Sequence, residues 1–351
     1  MENFLIKWMP DWILRLGIKH ICKLRLKEIQ TGGVEQNFKQ MQNWHKHIKN
    51  SPIALETQAA NDQHYEVPAK FYELSLGKNL KYSSAVWGES CKTLDDAEAL
   101  MLKTTMQRME IGNHQRILEL GCGWGSLTLA MASAYPQTHI TAVSNSHSQR
   151  RYIYKKAEAL GLSNITIVTS DMNDYDFPNS TFDRVVSVEM FEHMRNWKKL
   201  MSNIATSLKD DGKCFVHIFT HKTTGYAYEI KDNTDWMSQY FFTGGQMPSA
   251  YQFSYFQDDL QIEKQWAVSG THYEKTANAW LDNMDNNKGE ILNLFNSTYG
   301  KEASLWFARW RVFYMSCAEL FGFDNGNEWF VSHYLFKKKK SEFSGELSQS
   351  A

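Results

Sequence analysis

Cysteines and long apolar runs are both scarce in this chain of 351 residues. The five cysteines are scattered along it: Cys22, Cys91, Cys122, Cys214 and Cys317. They include no CxxC pair, which argues against a disulfide framework and against a metal site. No uninterrupted apolar run approaches the roughly 20 residues that span a bilayer, and MENFLIKWMPDWILRLG lacks the pattern of a signal peptide. We therefore expect a cytoplasmic protein that needs no metal.

An excess of charge of either sign is missing as well. The formal net charge is -1, so no overall basic field favours a nucleic-acid partner. Aromatic residues, in contrast, are abundant, with 12 Trp, 16 Tyr and 20 Phe, and many of them follow residue 220. They could form core alone, or they could line a pocket for a cation or an apolar chain, and both interpretations stay open.

Strands and helices alternate in the middle of the chain. The predicted strands are RILEL, HITAVS, NITIVTSD, FDRVVSVEM and KCFVHIFTH. This alternation predicts an α/β fold with a parallel sheet and helices on both faces. WFVSHYLFKK predicts a final strand. We divide the chain into a helical lid region (1–92), a main domain (93–338) whose insertion at about 220–300 covers a pocket, and a charged tail (339–351).

The N-terminal residues 1–60 favour amphipathic helices with several basic side chains, among them Lys19, Lys23 and Lys27. A packing helix or lid is the interpretation that we favour. A helix lying on a membrane surface is the alternative.

The stretch ILELGCGWG places Gly121, Gly123 and Gly125 directly after the first strand. Glycines at this point let the backbone turn tightly and approach a ligand closely. The spacing is GxGxG, whereas dinucleotide-binding loops have GxGxxG. Glu119 precedes the loop and disfavours a diphosphate. An acid at this position favours a ligand with a positive group, such as an amino-acid ammonium.

ILELGCGWGSLTLAMA resembles the S-adenosylmethionine (SAM) motif of class I methyltransferases. Five more segments resemble the superfamily of cyclopropane-fatty-acid synthases and coclaurine N-methyltransferases: HYEVPAKFYELSLG, LKYSSAVW, TAVSNSHSQ, VEMFEHMRNW and VHIFTHK. The resemblance covers roughly residues 60 to 337 and is greatest to the coclaurine N-methyltransferase-like branch. It implies a Rossmann-like, mostly parallel seven-stranded sheet, SAM as cofactor with S-adenosylhomocysteine as product, and methyl transfer to the nitrogen of a small amine.

The resemblance also implies which residues contact SAM. The glycine loop would lie against it, the lid would contact its methionyl part, and the ends of the second and third strands would contact ribose and adenine. In chain order the implied residues are Tyr65, Ser83, Gly121, Gly123, Gly125, Ser144, Asn145, Gln149, Asp171 and Met172. Taken alone, each polar residue in this set would be interpreted as a loop or cap residue.

The segment VEMFEH follows the fourth strand, at the sheet edge where open α/β proteins bind ligands. It brings Glu189, Glu192 and His193 within five residues. A Glu–His pair can take a proton from an amine while the carboxylate orients the imidazole, and Glu189 could stabilise a cationic amine. The alternative is that Glu192 and His193 cap the following helix. The resemblance favours catalysis.

A further set of residues falls where the superfamily binds its acceptor. His217, Tyr273 and Glu192 match residues that the fatty-acid synthases place near a bound bicarbonate. This chain has Ser84 where the synthases carry a cysteine, and Phe219 where they carry an aliphatic residue. These departures disfavour the alternative function, which is modification of unsaturated acyl chains of phospholipids.

Aromatic residues of the second half complete the predicted pocket. A ring face attracts a cation by about 0.5 to 2 kcal/mol, and Trp236, Tyr240 and Trp310 are the candidates for such a wall. We expect most of the other rings to be core. The predicted partner is a small-molecule amine, with a membrane surface less favoured, and the chain is expected to be a monomer or a homodimer.

Overall fold

The structure is a computed structural model that describes residues 6–55, 67–230 and 235–339. Nine strands occur in this part of the chain: β1 (Arg116–Leu120), β2 (His139–Ser144), β3 (Ile165–Thr169), β4 (Phe182–Val188), β5 (Leu208–His221), β6 (Tyr226–Ala227), β7 (Gln246–Met247), β8 (Leu260–Val268) and β9 (Trp329–Lys338). Seven of them form the central sheet in the order β3-β2-β1-β4-β5-β9-β8. Strands β1 to β5 pair in parallel, and β9 runs antiparallel to β5 and β8.

Eleven α-helices accompany the strands in the same described part: α1 (Asp11–Ile29), α2 (Gly33–Lys49), α3 (Ala69–Ser75), α4 (Leu94–Arg108), α5 (Ser126–Ala134), α6 (His147–Ala159), α7 (Trp197–Ser207), α8 (Trp236–Tyr240), α9 (Gly270–Asn286), α10 (Lys288–Tyr299) and α11 (Ala303–Phe321). Helices α5, α6 and α7 connect parallel strands. The predicted fold class is therefore confirmed, including the mostly parallel seven-stranded sheet and the N-terminal helices. None of the helices described here is long and apolar enough to cross a membrane.

The glycine loop joins β1 to α5 and needs residues without side chains. Gly121, Gly123 and Gly125 all have positive φ angles, of 77°, 53° and 82°, which L-residues with a Cβ rarely adopt. A Cβ on Gly121 would lie 2.7 Å from the Cγ of Met190, and one on Gly125 would lie 2.7 Å from the Cγ1 of Ile153. The loop therefore packs closely against the neighbouring elements on both sides.

Helix α1 lies against α11 and is held there by partly buried ion pairs. The guanidinium of Arg311 donates to both carboxylate oxygens of Asp11, at 3.0 and 2.8 Å, and also contacts Asp285. Arg15 donates to Glu319 at 2.7 Å. The N-terminal helix is thereby fixed to a helix some 300 residues further along the chain.

The segment predicted as an insertion at about 220–300 contributes to two different parts of the structure. Its first part contains the two-stranded sheet of β6 and β7 and the short helix α8. Its second part contributes β8 to the edge of the main sheet and continues into α9. The segment therefore contributes strands to both sheets.

Candidate active site

A cavity of about 290 Å³ lies at the carboxyl edge of the sheet. At one end its wall is formed by the glycine loop, including Gly121 and Gly123. At the other end aromatic and aliphatic side chains form the wall: Ile18, Tyr226, Tyr228, Trp236, Phe242 and Leu320. The cavity therefore connects the predicted cofactor site directly to the predicted acceptor site.

The end beside the glycine loop is rich in polar groups that have no protein partner. The Nε1 of Trp124, the Oγ of Ser126 and the Nε2 of Gln149 are buried, and none has a hydrogen-bond partner among the described residues. All three residues line the cavity. A buried unsatisfied polar group costs about 1–3 kcal/mol, so a polar ligand that bonds these atoms would be favoured. A Cβ on Gly123 would meet no atom within 4 Å, which leaves space for such a ligand.

Glu119 lies under the loop with its carboxyl buried in the same wall. The Thr128 hydroxyl donates to its Oε2 at 2.5 Å. Burial raises the pKa of Glu119 to about 8, although this hydrogen bond opposes the rise. A cationic group bound here would favour the ionised carboxylate, as the sequence suggests.

Ser83 and Ser144 are two more of the predicted cofactor residues. Ser83 lines the cavity and accepts a hydrogen bond of 2.5 Å from the Nζ of Lys81. The Ser144 hydroxyl donates to the Oε1 of Gln149 at 2.6 Å. Ser144 thus holds the amide of Gln149, whose Nε2 is the unpartnered atom described above.

Other predicted cofactor residues are not among the described residues that line the cavity: Gly125, Ser144, Asn145, Asp171 and Met172. Asp171 accepts from the backbone N–H of Asn173 at 2.8 Å and so stabilises its own turn. Met172 is buried in the core. Tyr65 lies outside the residues that the structure describes. The assignment of all ten predicted residues to SAM stays a prediction.

Glu189 lies at the end of β4 and is held by three distant segments. Its Oε1 accepts from the backbone N–H of Ser84 at 2.9 Å and from the Nε2 of His217 at 3.1 Å. Its Oε2 accepts from the hydroxyl of Tyr273 at 2.7 Å. Burial raises the pKa of Glu189, whereas the charge of Lys81 and the bonds from Ser84 and Tyr273 lower it. The φ angle of Glu189 is +48°, a strained value that is rare outside glycine and concentrates at functional sites.

This arrangement changes the interpretation of the residues that resemble a bicarbonate site. His217 and Tyr273 do come together, as the resemblance implies. The group that both of them bind is the side-chain carboxylate of Glu189. Their donors are therefore already used within the protein.

Glu192 and His193 form a short 3₁₀ turn after β4 but face different surroundings. Glu192 is fully buried, and its Oε1 accepts from the backbone N–H of Phe219 at 2.7 Å. Its Oε2 has no hydrogen-bond partner in the described structure. Burial, and then the charge of Glu189, raises the pKa of Glu192 well above its ordinary value. His193 lines the cavity, with its ring stacked 4.9 Å from the ring of Phe242.

The predicted acceptor residues divide between the cavity wall and the core. Phe219, Trp236 and Tyr273 line the cavity. Tyr240 lies outside this wall, with the Arg309 guanidinium 4.1 Å from its ring centroid. Trp310 is fully buried in an aromatic core, with its ring centroid 4.7 Å from that of Phe71.

Lys81 is a residue of the site that the sequence does not signal. Its side chain is buried and lines the cavity, and its Nζ donates to the hydroxyl of Ser83 and to the carbonyl of Ser84. Burial lowers the pKa of Lys81 to about 8. The stretch LKYSS offers no local pattern that distinguishes this lysine from an exposed one.

Comparison with known proteins agrees with this geometry. Residues 54–328 match the family described as mycolic acid cyclopropane synthetase. The chain is 38% identical to (S)-coclaurine N-methyltransferase of Thalictrum flavum subsp. glaucum, over 92% of this chain and 91% of that protein. It is 36% identical to (S)-coclaurine N-methyltransferase of Papaver somniferum, over 97% of both proteins.

A solved structure agrees as well. The crystal structure of a coclaurine N-methyltransferase bound to N-methylheliamine and S-adenosylhomocysteine has a TM-score of 0.92 at 34% identity, over 96% of this chain and 98% of that one. The glycine loop, the buried polar groups beside it and these similarities agree with one another. The chain belongs to the mycolic acid cyclopropane synthetase family, and it is a SAM-dependent N-methyltransferase.

Proposed function

We propose that this enzyme methylates the nitrogen of a small amine that carries an aromatic ring system. The observation that carries this proposal is the continuous cavity, in which polar groups beside the glycine loop lead directly to an aromatic wall. The relatives named above are N-methyltransferases of coclaurine, and one of them binds N-methylheliamine. An amine of this general kind suits the wall, because aromatic faces attract both an apolar ring and a cation.

The polar end of the cavity fits SAM. Gly121 and Gly123 would allow close approach of the ligand, and the free polar atoms of Ser126 and Gln149 would bond its polar groups. Glu119 would balance a positive charge. When bound, SAM supplies an electrophilic methyl group on a sulfonium. The side chains around the acceptor take up its proton and stabilise its positive charge.

His193 is the residue that we propose as the proton acceptor. An amine near neutral pH is largely protonated, and it needs a free lone pair to attack a methyl group. His193 lines the cavity, and an imidazole exchanges protons readily in this pH range. Glu192 lies beside it in the chain, and the raised pKa of Glu192 favours its neutral form. We therefore assign His193 as the base, with Glu192 as its neighbour in the chain.

Glu189 is the residue that we propose as the fixed negative charge. It lines the cavity and is held by Ser84, His217 and Tyr273. A fixed carboxylate attracts the cationic amine and stabilises the positive charge that grows on nitrogen as the new bond forms. Preorganised charges of this kind contribute strongly because they need no reorganisation during the reaction.

Modification of unsaturated acyl chains is the second candidate function. It is favoured by the family match and by the meeting of His217 and Tyr273. The Glu189 carboxylate already occupies the hydrogen-bond donors of both residues. This is why we rank N-methylation of an amine first.

The deciding experiment is a product assay by mass spectrometry. Purified protein and SAM are offered a panel of primary, secondary and tertiary aromatic amines and, separately, vesicles of unsaturated phospholipid. We expect a methyl group on nitrogen, and no product when S-adenosylhomocysteine replaces SAM. A methylene or methyl group on the acyl chains, with no amine product, would overturn the proposal.

A further inference from the structure

A line of four side chains crosses the sheet and ends at Glu189. Arg108 is the last residue of α4, and its Nη1 lies 2.7 Å from the Nδ1 of His333 on β9. The Nε2 of His333 lies 3.0 Å from the Nδ1 of His217 on β5. The Nε2 of His217 lies 3.1 Å from the Oε1 of Glu189. Among these four residues, Glu189 alone lines the cavity.

The direction of this line is fixed by its outer end. A guanidinium has five N–H donors and no acceptor, so the Nδ1 of His333 must accept from Arg108. The proton of the neutral ring of His333 is then on Nε2, which donates to the Nδ1 of His217. By the same reasoning His217 carries its proton on Nε2 and donates to Glu189. Arg108 therefore fixes the tautomers of both histidines.

The neutral state that this argument requires agrees with the surroundings of the rings. Both histidines are fully buried. Burial is the main reason why the pKa values of His217 and His333 fall well below their ordinary range, and the charge of Arg108 adds to this effect. Neither ring is expected to become an imidazolium near neutral pH.

A line with this direction stabilises a negative carboxylate and cannot take a proton away from it. A proton leaving Glu189 through His217 would reverse every hydrogen bond as far as His333. The Nδ1–H of His333 would then point at the N–H groups of Arg108. A proton that the amine releases must therefore leave by another route.

We propose that Arg108 and His333 are positioning residues of this methyltransferase, which act through His217 to keep Glu189 oriented and ionised beside the acceptor. The proposal rests on the proposed role of Glu189. His217 is the residue in contact with the carboxylate, and the other two set its tautomer. A hydrogen bond to the far nitrogen of a histidine fixes the orientation and tautomer of its ring, as is common at metal sites.

The other groups around Glu189 determine how a change in the line would be seen. Lys81 favours the ionised carboxylate by its charge, and Tyr273 favours it by its hydrogen bond. Glu192 and Glu189 disfavour each other's charge. Burial, and then the charge of Glu189, raises the pKa of the Cys317 thiol. All of these remain when Arg108 is replaced, so the expected change is a rise in the pKa of Glu189 without its complete protonation.

The kinetic test compares Arg108→Met with Arg108→Lys and with a matched control, Arg150→Met. Arg150 also covers a ring, with its Cζ 5.7 Å from the Tyr154 centroid, much as Arg108 covers Trp266 at 5.0 Å. For Arg108→Met we expect the acidic limb of the kcat/KM profile to move up by about one pH unit. In Arg108→Lys the shift should be smaller, because the lysine ammonium, like the guanidinium, can only donate hydrogen bonds. Arg150→Met should leave the profile unchanged. An equal loss at every pH would indicate a merely structural role and overturn the proposal.

The second test observes the tautomers directly by ¹⁵N NMR of the imidazole rings, with His217→Gln and His333→Gln spectra used for assignment. We expect both rings to carry the proton on Nε2 in the unmodified enzyme. A proton on Nδ1 of His333, or a doubly protonated ring, would overturn the proposal even if Arg108→Met does not fold. These spectra need no methyl acceptor, so an error in the proposed acceptor class would not be confused with an error here.

Discussion

Replacement of Glu189 by glutamine removes one negative charge from the cavity wall and leaves its hydrogen bonds almost intact. The amide oxygen can still accept from the Ser84 backbone and from His217, as Oε1 of Glu189 does at 2.9 and 3.1 Å. The amide nitrogen would then face Tyr273, whose hydroxyl can rotate and accept. The substitution therefore separates the effect of charge from the effect of structure.

The size of the effect follows from the burial of this carboxylate. For an amine nitrogen bound about 6 Å from this carboxylate, at an effective dielectric constant of about 20, a unit charge would contribute about 2.8 kcal/mol. This corresponds to about a 100-fold change in rate. We expect kcat for the amine to fall by about this factor in Glu189→Gln, while the affinity for SAM changes little.

The assay is steady-state methyl transfer, with SAM affinity measured separately by calorimetry. Glu328→Gln is the matched control because Glu328 is also buried and accepts from a histidine, His221, at 2.9 Å. Glu328 is not among the cavity-lining residues of the described structure. We expect the control to lower Tm and leave kcat unchanged. A loss of less than about fivefold in Glu189→Gln would refute the assignment of a charge role.

Three further predictions concern the two ends of the cavity. Gly123→Ala should weaken SAM binding about tenfold because the added methyl group projects into the cavity, as titration calorimetry would show. Gly161→Ala is its control, since Gly161 also has a positive φ and open space around it, and equal losses would contradict the reasoning. SAM should bind more tightly as the pH rises towards 8, because burial raises the pKa of Glu119 to about 8 and a bound cation favours loss of its proton. Glu119→Gln should abolish this pH dependence of SAM affinity. A pH dependence that persists in this variant would have to come from another group. Arg311→Leu should raise the KM for the amine and leave SAM affinity unchanged, because it loosens the contact between α1 and α11; a lower Tm with an unaltered KM would show that α1 does not shape the acceptor end.

Much of the sheet can be predicted from the sequence because its inner strands are covered on both faces and are rich in apolar residues. Arg116–Leu120, His139–Ser144 and Trp329–Lys338 begin and end where the pattern predicts. Strand β8 is not predicted from the sequence. It lies at the sheet edge, and the polar run Glu263, Lys264 and Gln265 is exposed there, so its sequence resembles a surface loop.

The site can be predicted only in part, because local spacing identifies residues but not their long-range partners. The motif VEMFEH contains both Glu189 and His193, which line the cavity. The sequence favours Glu192 and His193 as the central pair, and it cannot show that Glu189 meets Ser84, about 100 residues earlier in the chain. His333 is likewise inconspicuous within WFVSHYLFKK, because a single histidine in a strand is usually a core residue. Its significance comes from a contact with His217, across 116 residues of sequence.

The two ends of the cavity are built from different parts of the chain. The glycine loop and Gln149 belong to the parallel strands and their connections, whereas Ile18 comes from the N-terminal helix and Tyr226 and Leu320 come from the segment 226–321. Substitutions in the latter segments can therefore alter which acceptor is admitted without disturbing the donor end. The segments that form the acceptor wall can therefore be exchanged between relatives as a unit. Chimaeras that take α1 and residues 226–321 from a relative should acquire that relative's acceptor preference and keep the SAM affinity of the recipient.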